Sequence, residues 1–207
     1  MYNILDKVLD TNLTELEKIS LIEQLHREDI EHSPYELNKL VNKAIETNNL
    51  SVLGYCLSKS NDLKLENIFL QCVKEGFVKG IQLIAYQMNL SDHEQKNELI
   101  ESSFLLATHN ENYKDIFNFL IKKGGSYYFQ DNLLFKTVFR SERLDILEYL
   151  IKSNLGSEDF KERKNNIITI LGLENKNHIV NDWINSEVKV VNFTQRQPLK
   201  TVMHKKI

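Results

Sequence analysis

The chain has 207 residues and a formal net charge of -3 at neutral pH, enough length for one sizeable core and too little charge to favour a nucleic-acid backbone or an anionic membrane as partner. No apolar stretch approaches the length of a bilayer-spanning helix, and MYNILDKVLD at the start lacks a basic segment followed by an apolar core, so the expectation is an intracellular, cytoplasmic protein with no membrane contact. Cys56 and Cys72 have no C-x-x-C spacing and lie in apolar helical surroundings, which suits a reduced compartment better than a disulfide framework.

Apolar residues recur three and four apart over most of the chain, and only Pro34 and Pro198 interrupt it. The fold class expected is therefore all-α. Residues 1–33 read as an N-terminal helical cap with the amphipathic segments NILDKVL and LTELEKISLIEQLHRED, the second introduced by the weak start Asn12-Leu13-Thr14-Glu15. Ser33-Pro34-Tyr35-Glu36 and Ser91-Asp92-His93-Glu94 both read as capping boxes at which helices begin. Gly124-Gly125 after Lys122-Lys123 reads as a helix stop with cations at the negative end. Beyond Ser157-Glu158-Asp159, residues 158–187 supply two capping helices, DFKERKNNIITILG and NHIVNDWINS, with Ile168, Ile170, Leu171, Ile179 and Trp183 to cover the end of the core. The tail, 188–207, has no acidic residue, carries Lys189, Arg196, Lys200, Lys205 and Lys206, and opens on the β-prone VKVVNF.

Between the caps, residues 34–157 repeat themselves. NNLSVLGYCLSKSND, GFVKGIQLIAYQMN, NYKDIFNFLIKKGG and ERLDILEYLIKSNLG start at Asn48, Gly76, Asn112 and Glu142, at spacings of 28, 36 and 30 residues. Each places four residues on one helical stripe: Val52, Leu53, Cys56, Leu57; Gly80, Ile81, Ile84, Ala85; Ile116, Phe117, Leu120, Ile121; Ile146, Leu147, Leu150, Ile151. A second helical segment precedes each copy, namely LNKLVNKAIE, LENIFLQCVK, LIESSFLLATH and NLLFKTVF. The unit is a helix pair, which cannot bury its own apolar face and must stack on its neighbours.

Ala44-Ile45-Glu46-Thr47-Asn48-Asn49-Leu50, Cys72-Val73-Lys74-Glu75-Gly76 and Leu144-Asp145-Ile146-Leu147-Glu148-Tyr149-Leu150-Ile151 resemble the A-x-x-x-G-H-L-D-I-V-K-Y-L-I pattern of ankyrin repeats, over roughly residues 37–156. The Thr-Pro-Leu-His opening of that family is missing, the spacing departs from its period of about 33 residues, and the stretch from Asn61 to Glu66 is too short for the usual β-hairpin finger. The resemblance implies an ankyrin-like solenoid of about four stacked helix pairs that binds another protein through its concave face, without catalysis or cofactor. Degenerate arrays rich in Asn, Ile and Lys occur in large DNA viruses, phages and intracellular bacteria, where they engage host proteins, so a viral or parasite factor is the associated expectation. In such pairs the two residues before the glycine-position turn end the inner helix and face the groove. Here they are Glu46, Thr47, Lys74, Glu75, Asn110, Glu111, Arg140 and Ser141.

Residues that resemble chemical sites have plainer explanations. His26 and His32 are six apart, which does not bring two ligands to one helix face, so a metal site is not expected there. Cys72 with His93 or His109 has the residue types of a nucleophile and base, yet Cys72 stands where the family places a small buried alanine. No G-x-x-x-x-G-K or G-x-G-x-x-G is present, and no enzyme is expected. Tyr127, Tyr128 and Phe129 fit either an interaction cluster or side chains packed beneath a loop. A second functional reading gives the basic tail a nucleic-acid contact; steep salt dependence of binding would distinguish it.

Overall fold

The computed structural model describes residues 13–27, 33–92 and 95–154, together with residues 7, 8, 157, 158 and 169. Among the described residues all regular structure is helical, as the periodicity requires. The chain divides into two compact units, Met1–Ser126 and Tyr127–Ile207. The division falls within the array expected over 34–157, between its third and fourth helix pairs.

In the first unit, α1 (Glu15–Arg27) begins at a capping box two residues downstream of Asn12: the Thr14 amide donates to the Glu17 carboxylate at 2.8 Å and the Glu17 amide to Thr14 Oγ1 at 3.3 Å. Helix α2 (Pro34–Glu46) starts as the sequence indicates. Ser33 Oγ accepts from the Glu36 amide at 3.3 Å, while the Glu36 carboxylate accepts from the Ser33 amide at 3.0 Å, so early amides that have no helical partner are satisfied reciprocally. Helices α3 (Leu50–Lys59), α4 (Leu65–Glu75) and α5 (Val78–Gln87) follow, then a 3-10 turn at Leu90–Asp92. The helix expected after Ser91 starts later, as α6 (Lys96–Ala107), because residues 90–92 are taken up by that turn; residues 93 and 94 lie outside the described residues. Helix α7 (Tyr113–Lys122) closes the unit at Gly124, whose φ of 91° is left-handed. The Gly125 amide then reaches Leu120 O at 3.0 Å.

Each second helix packs on its first: α3 on α2, α5 on α4 and α7 on α6. First helices also touch first helices, α2 against α4 and α4 against α6, while α3 touches α5 and α1 covers α3. Helix hairpins therefore stack in this unit, and the interior between them is apolar. Phe69, Phe104, Phe117, Leu53, Ile81 and Ile84 are wholly buried. The link from α3 to α4, residues 60–64, has no strand.

The second unit contributes α8 (Leu133–Arg140) and α9 (Leu144–Asn154), which pack on each other. Leu134, Phe135, Val138, Ile146, Leu150 and Ile151 are wholly buried there. The expected capping helices over 158–187 and the tail over 188–207 lie outside the described residues, save positions 158 and 169.

Fifteen of the sixteen stripe residues are buried and one is not: Ile121 is 37% exposed. The reason lies in α7 itself. Tyr113 and Phe117 meet edge-on at 5.8 Å and Phe117 meets Phe104 at 5.2 Å, so the large rings carry the buried face along Tyr113, Ile116, Phe117 and Leu120 and leave Ile121 at its margin.

Candidate functional site

Three of the four hairpins turn the same way. Asn48, Gly76 and Glu142 have φ of 52°, 73° and 56°, and two backbone bonds close each turn. Asn48 N donates to Ile45 O and Asn49 N to Ala44 O at 3.0 and 2.7 Å; Gly76 N to Val73 O and Phe77 N to Cys72 O at 3.1 and 2.9 Å; Glu142 N to Phe139 O and Arg143 N to Val138 O, both at 3.1 Å. This is a Schellman end, in which a left-handed residue lets the chain satisfy the last carbonyls of one helix before entering the next. Counting back from it, Ala44, Cys72 and Val138 correspond, as do Val41, Phe69 and Phe135. All six are buried.

The third hairpin departs from this pattern. Helix α6 ends at Ala107, and Thr108, His109 and Asn110 donate in succession to Leu105, Leu106 and Ala107 carbonyls with no left-handed residue before α7. Ala107 and Phe104 fill the places of Ala44 and Val41, and one more residue separates Ala107 from the stripe that opens at Ile116 than separates Ala44 from the stripe that opens at Val52. The longer turn ties back to the preceding hairpin. Asn110 Nδ2 donates to Lys74 O at 3.2 Å, Asn110 Oδ1 accepts from the Asn112 amide at 2.7 Å, and Asn112 Nδ2 donates to Gly76 O at 3.1 Å.

The eight expected groove residues sit at these hairpin ends. Glu46 is exposed at the end of α2 and paired with Lys43 at 3.1 Å; Thr47 is half-buried and its hydroxyl donates to Lys43 O at 2.8 Å. Lys74 and Glu75 are exposed in the last turn of α4. Arg140 and Ser141 close α8 in the second unit, both exposed, with Ser141 Oγ donating to Val138 O at 3.1 Å. Asn110 and Glu111 do not end a helix: they lie in the turn beyond α6, where Asn110 is a structural tie and Glu111 is exposed. The structural counterparts of Glu46 and Thr47 in that hairpin are His109 and Asn110, a shift of one that the polar run His109-Asn110-Glu111-Asn112 gave no means of detecting. Thr47, Asn110 and Ser141 thus cap and tie turns, while Glu46, Lys74, Glu75, Glu111 and Arg140 present charge.

The turn beside Arg140 is fixed by a bidentate pair. Arg143 Nε and Nη2 donate to Asp145 at 3.0 and 2.9 Å, and these bonds hold the Asp145 carboxyl below its ordinary range. Cys72 is wholly buried in α4, and burial pushes its thiol up to about 12. A thiol so protonated is a packing group at neutral pH; His109 is exposed, and His93 and His32 lie outside the described residues, as does the side chain of His26. No group of three or more His, Cys, Asp or Glu positioned for a metal is found among the described residues, and no helix there is long and apolar enough to cross a membrane. Tyr127, Tyr128 and Phe129 are buried, with the Tyr128 ring stacked on Phe135 at 5.7 Å. Of the two readings of this triplet, packing beneath the loop is the one realised in the second unit. Among the described residues the large exposed aromatics are Tyr35 in the first turn of α2, at 78%, and Tyr86 near the end of α5, at 84%; both lie off the repeated stripe, which is the signal that sets them outside the core.

No family model, curated protein or solved structure matches this chain.

Proposed function

We propose that this protein is a binding scaffold that engages another protein through the ends of its repeated hairpins, in the manner of an ankyrin-like solenoid. One observation carries the reading: the same left-handed turn recurs at Asn48, Gly76 and Glu142 over the same buried positions, while the residues just before it differ from copy to copy. A repeated frame with a changing, charged rim suits recognition of a protein surface, where a few residues supply most of the binding energy. In the first unit the rim is Glu46, Lys74, Glu75 and Glu111. Arg140 holds the corresponding place in the second unit.

The source association, a viral or parasite factor acting on a host protein, rests on the resemblance alone and supplies the lysate for the experiment. Wild-type protein, a Lys74→Glu/Glu75→Lys variant and a Lys79→Glu control on α5 are immobilised and their captured proteins compared by mass spectrometry. Loss of a specific band from the rim variant alone supports the reading; loss from the control alone moves the interface to the second-helix face. Capture of nucleic acid that steepens as salt falls would replace the reading with the tail-mediated one.

A further inference from the structure

The segment that leads into α8 holds three features that do not belong together in a relaxed helix start. Gln130, Asp131 and Asn132 have successive φ of 43°, 53° and 63°, a run of left-handed residues that L side chains disfavour and that folded proteins tolerate only when the surroundings impose it. Asn132 is wholly buried, yet neither its Oδ1 nor its Nδ2 has a hydrogen-bond partner. It stands at the N-cap of α8, where an asparagine with extended φ accepts from a first-turn amide, but here its side chain makes no cap bond. Aromatic, hydrogen-bonded and ionic contacts on either side help to hold this arrangement. Tyr127 shares a hydrogen bond with Tyr149, Tyr128 stacks on Phe135, and Lys136 Nζ meets Asp131 Oδ2 at 2.6 Å.

We propose that residues 127–132 form a two-state strap. In the state described above, the strap is closed: Tyr127, Tyr128 and Phe129 are buried and Asn132 is held uncapped inside. In the open state Asn132 returns to extended φ and its Oδ1 accepts from the Phe135 amide, which caps α8. The chain before it swings out and exposes the aromatic triplet. The two states exchange aromatic burial for a cap, a satisfied carboxamide and a relaxed backbone, so neither is favoured by every term. A buried amide that a change of φ and ψ at its own residue would satisfy is the bistable element such a switch requires.

Two substitutions at one position push the strap in opposite directions. Asn132→Gly adopts left-handed φ without strain and removes the orphaned amide, so it stabilises the closed strap. Asn132→Asp puts a charge where burial is costly and strengthens the N-cap, so it stabilises the open one. Limited chymotrypsin digestion under native conditions, with cleavage after Tyr127, Tyr128 and Phe129 identified by mass, reads the open population. The aspartate variant is expected to be cut at least about tenfold faster than wild type at those bonds. The glycine variant should be cut more slowly, with a melting temperature raised by about 2–4 °C. Cleavage of the glycine variant at or above the wild-type rate, or of a folded aspartate variant at no more than the wild-type rate, overturns the proposal. Far-ultraviolet circular dichroism establishes that both variants keep their helices; should the aspartate variant lose them, the glycine comparison decides alone.

Discussion

Gly76 couples two hairpins, and a double-mutant cycle measures how strongly. A Cβ built on Gly76 would stand 2.4 Å from Asn110 Nδ2 and Oδ1 and 2.7 Å from its Cγ, and the backbone there has φ of 73°. Gly76→Ala therefore carries two penalties. The left-handed conformation costs about 1–2 kcal/mol for a residue with a Cβ. The Asn110 side chain must also move, losing its bond to Lys74 O, which at a typical net value costs about 1 kcal/mol more. The expected sum is about 2–3 kcal/mol. In an Asn110→Ala background the second penalty has already been incurred, so the same glycine substitution should cost about 1–2 kcal/mol. Urea unfolding of the four proteins, followed by circular dichroism at constant slope, gives the cycle. A coupling near zero refutes the contact between Gly76 and Asn110, and a Gly76→Ala cost below about 0.5 kcal/mol refutes the left-handed turn itself.

Leu150→Ala in α9 removes a wholly buried side chain and should destabilise by about 2–5 kcal/mol in thermal or urea unfolding; a loss under about half a kilocalorie would place the stripe on the wrong face. Ser33→Ala removes the hydroxyl that accepts from the Glu36 amide while leaving the bond from the residue 33 amide to the Glu36 carboxylate, and should cost about 0.5–2 kcal/mol, with Ser33→Thr largely preserving stability. Burial pushes both Cys56 and Cys72 up to about 12, so a thiol reagent at pH 8 should label neither in the folded protein and both in urea. Because the folded values lie above the unfolded ones, the contribution of the buried neutral thiols is complete below the unfolded cysteine range, near pH 8.5, and falls as pH rises toward 12. Unfolding midpoints measured across that interval should decline, and a flat profile would refute the assignment.

The repeated stripe was legible because burial acts on it directly: Val52, Leu53, Cys56 and Leu57 recur in kind as Ile146, Leu147, Leu150 and Ile151, and all eight are buried. The box at Ser33 was legible because it is made of neighbours in sequence. The third turn was not. Its extra residue is accommodated by Asn110 and Asn112 reaching carbonyls 36 positions back, and a bond of that span leaves no local trace. Ser91-Asp92-His93-Glu94 has the letters of a capping box, but the 3-10 turn takes its first half. Ile121 was misplaced for a related reason, since periodicity gives the direction of a side chain and not the size of the rings beside it. The candidate rim was legible as a set of polar hairpin ends. Which of them are structural depended on hydrogen bonds that only the fold supplies, as at Thr47 and Ser141.

The ties from Asn110 and Asn112 end on the carbonyls of Lys74 and Gly76, atoms that every amino acid except for its side chain provides alike. The staple between hairpins is consequently blind to what residue 74 carries, and the exposed side chains of Lys74 and Glu75 are uncoupled from the joint they sit on. For an engineer this makes positions 74 and 75 a place to randomise: a combinatorial library there would sample new surfaces while Asn110, Asn112 and Gly76 keep the hairpins in register.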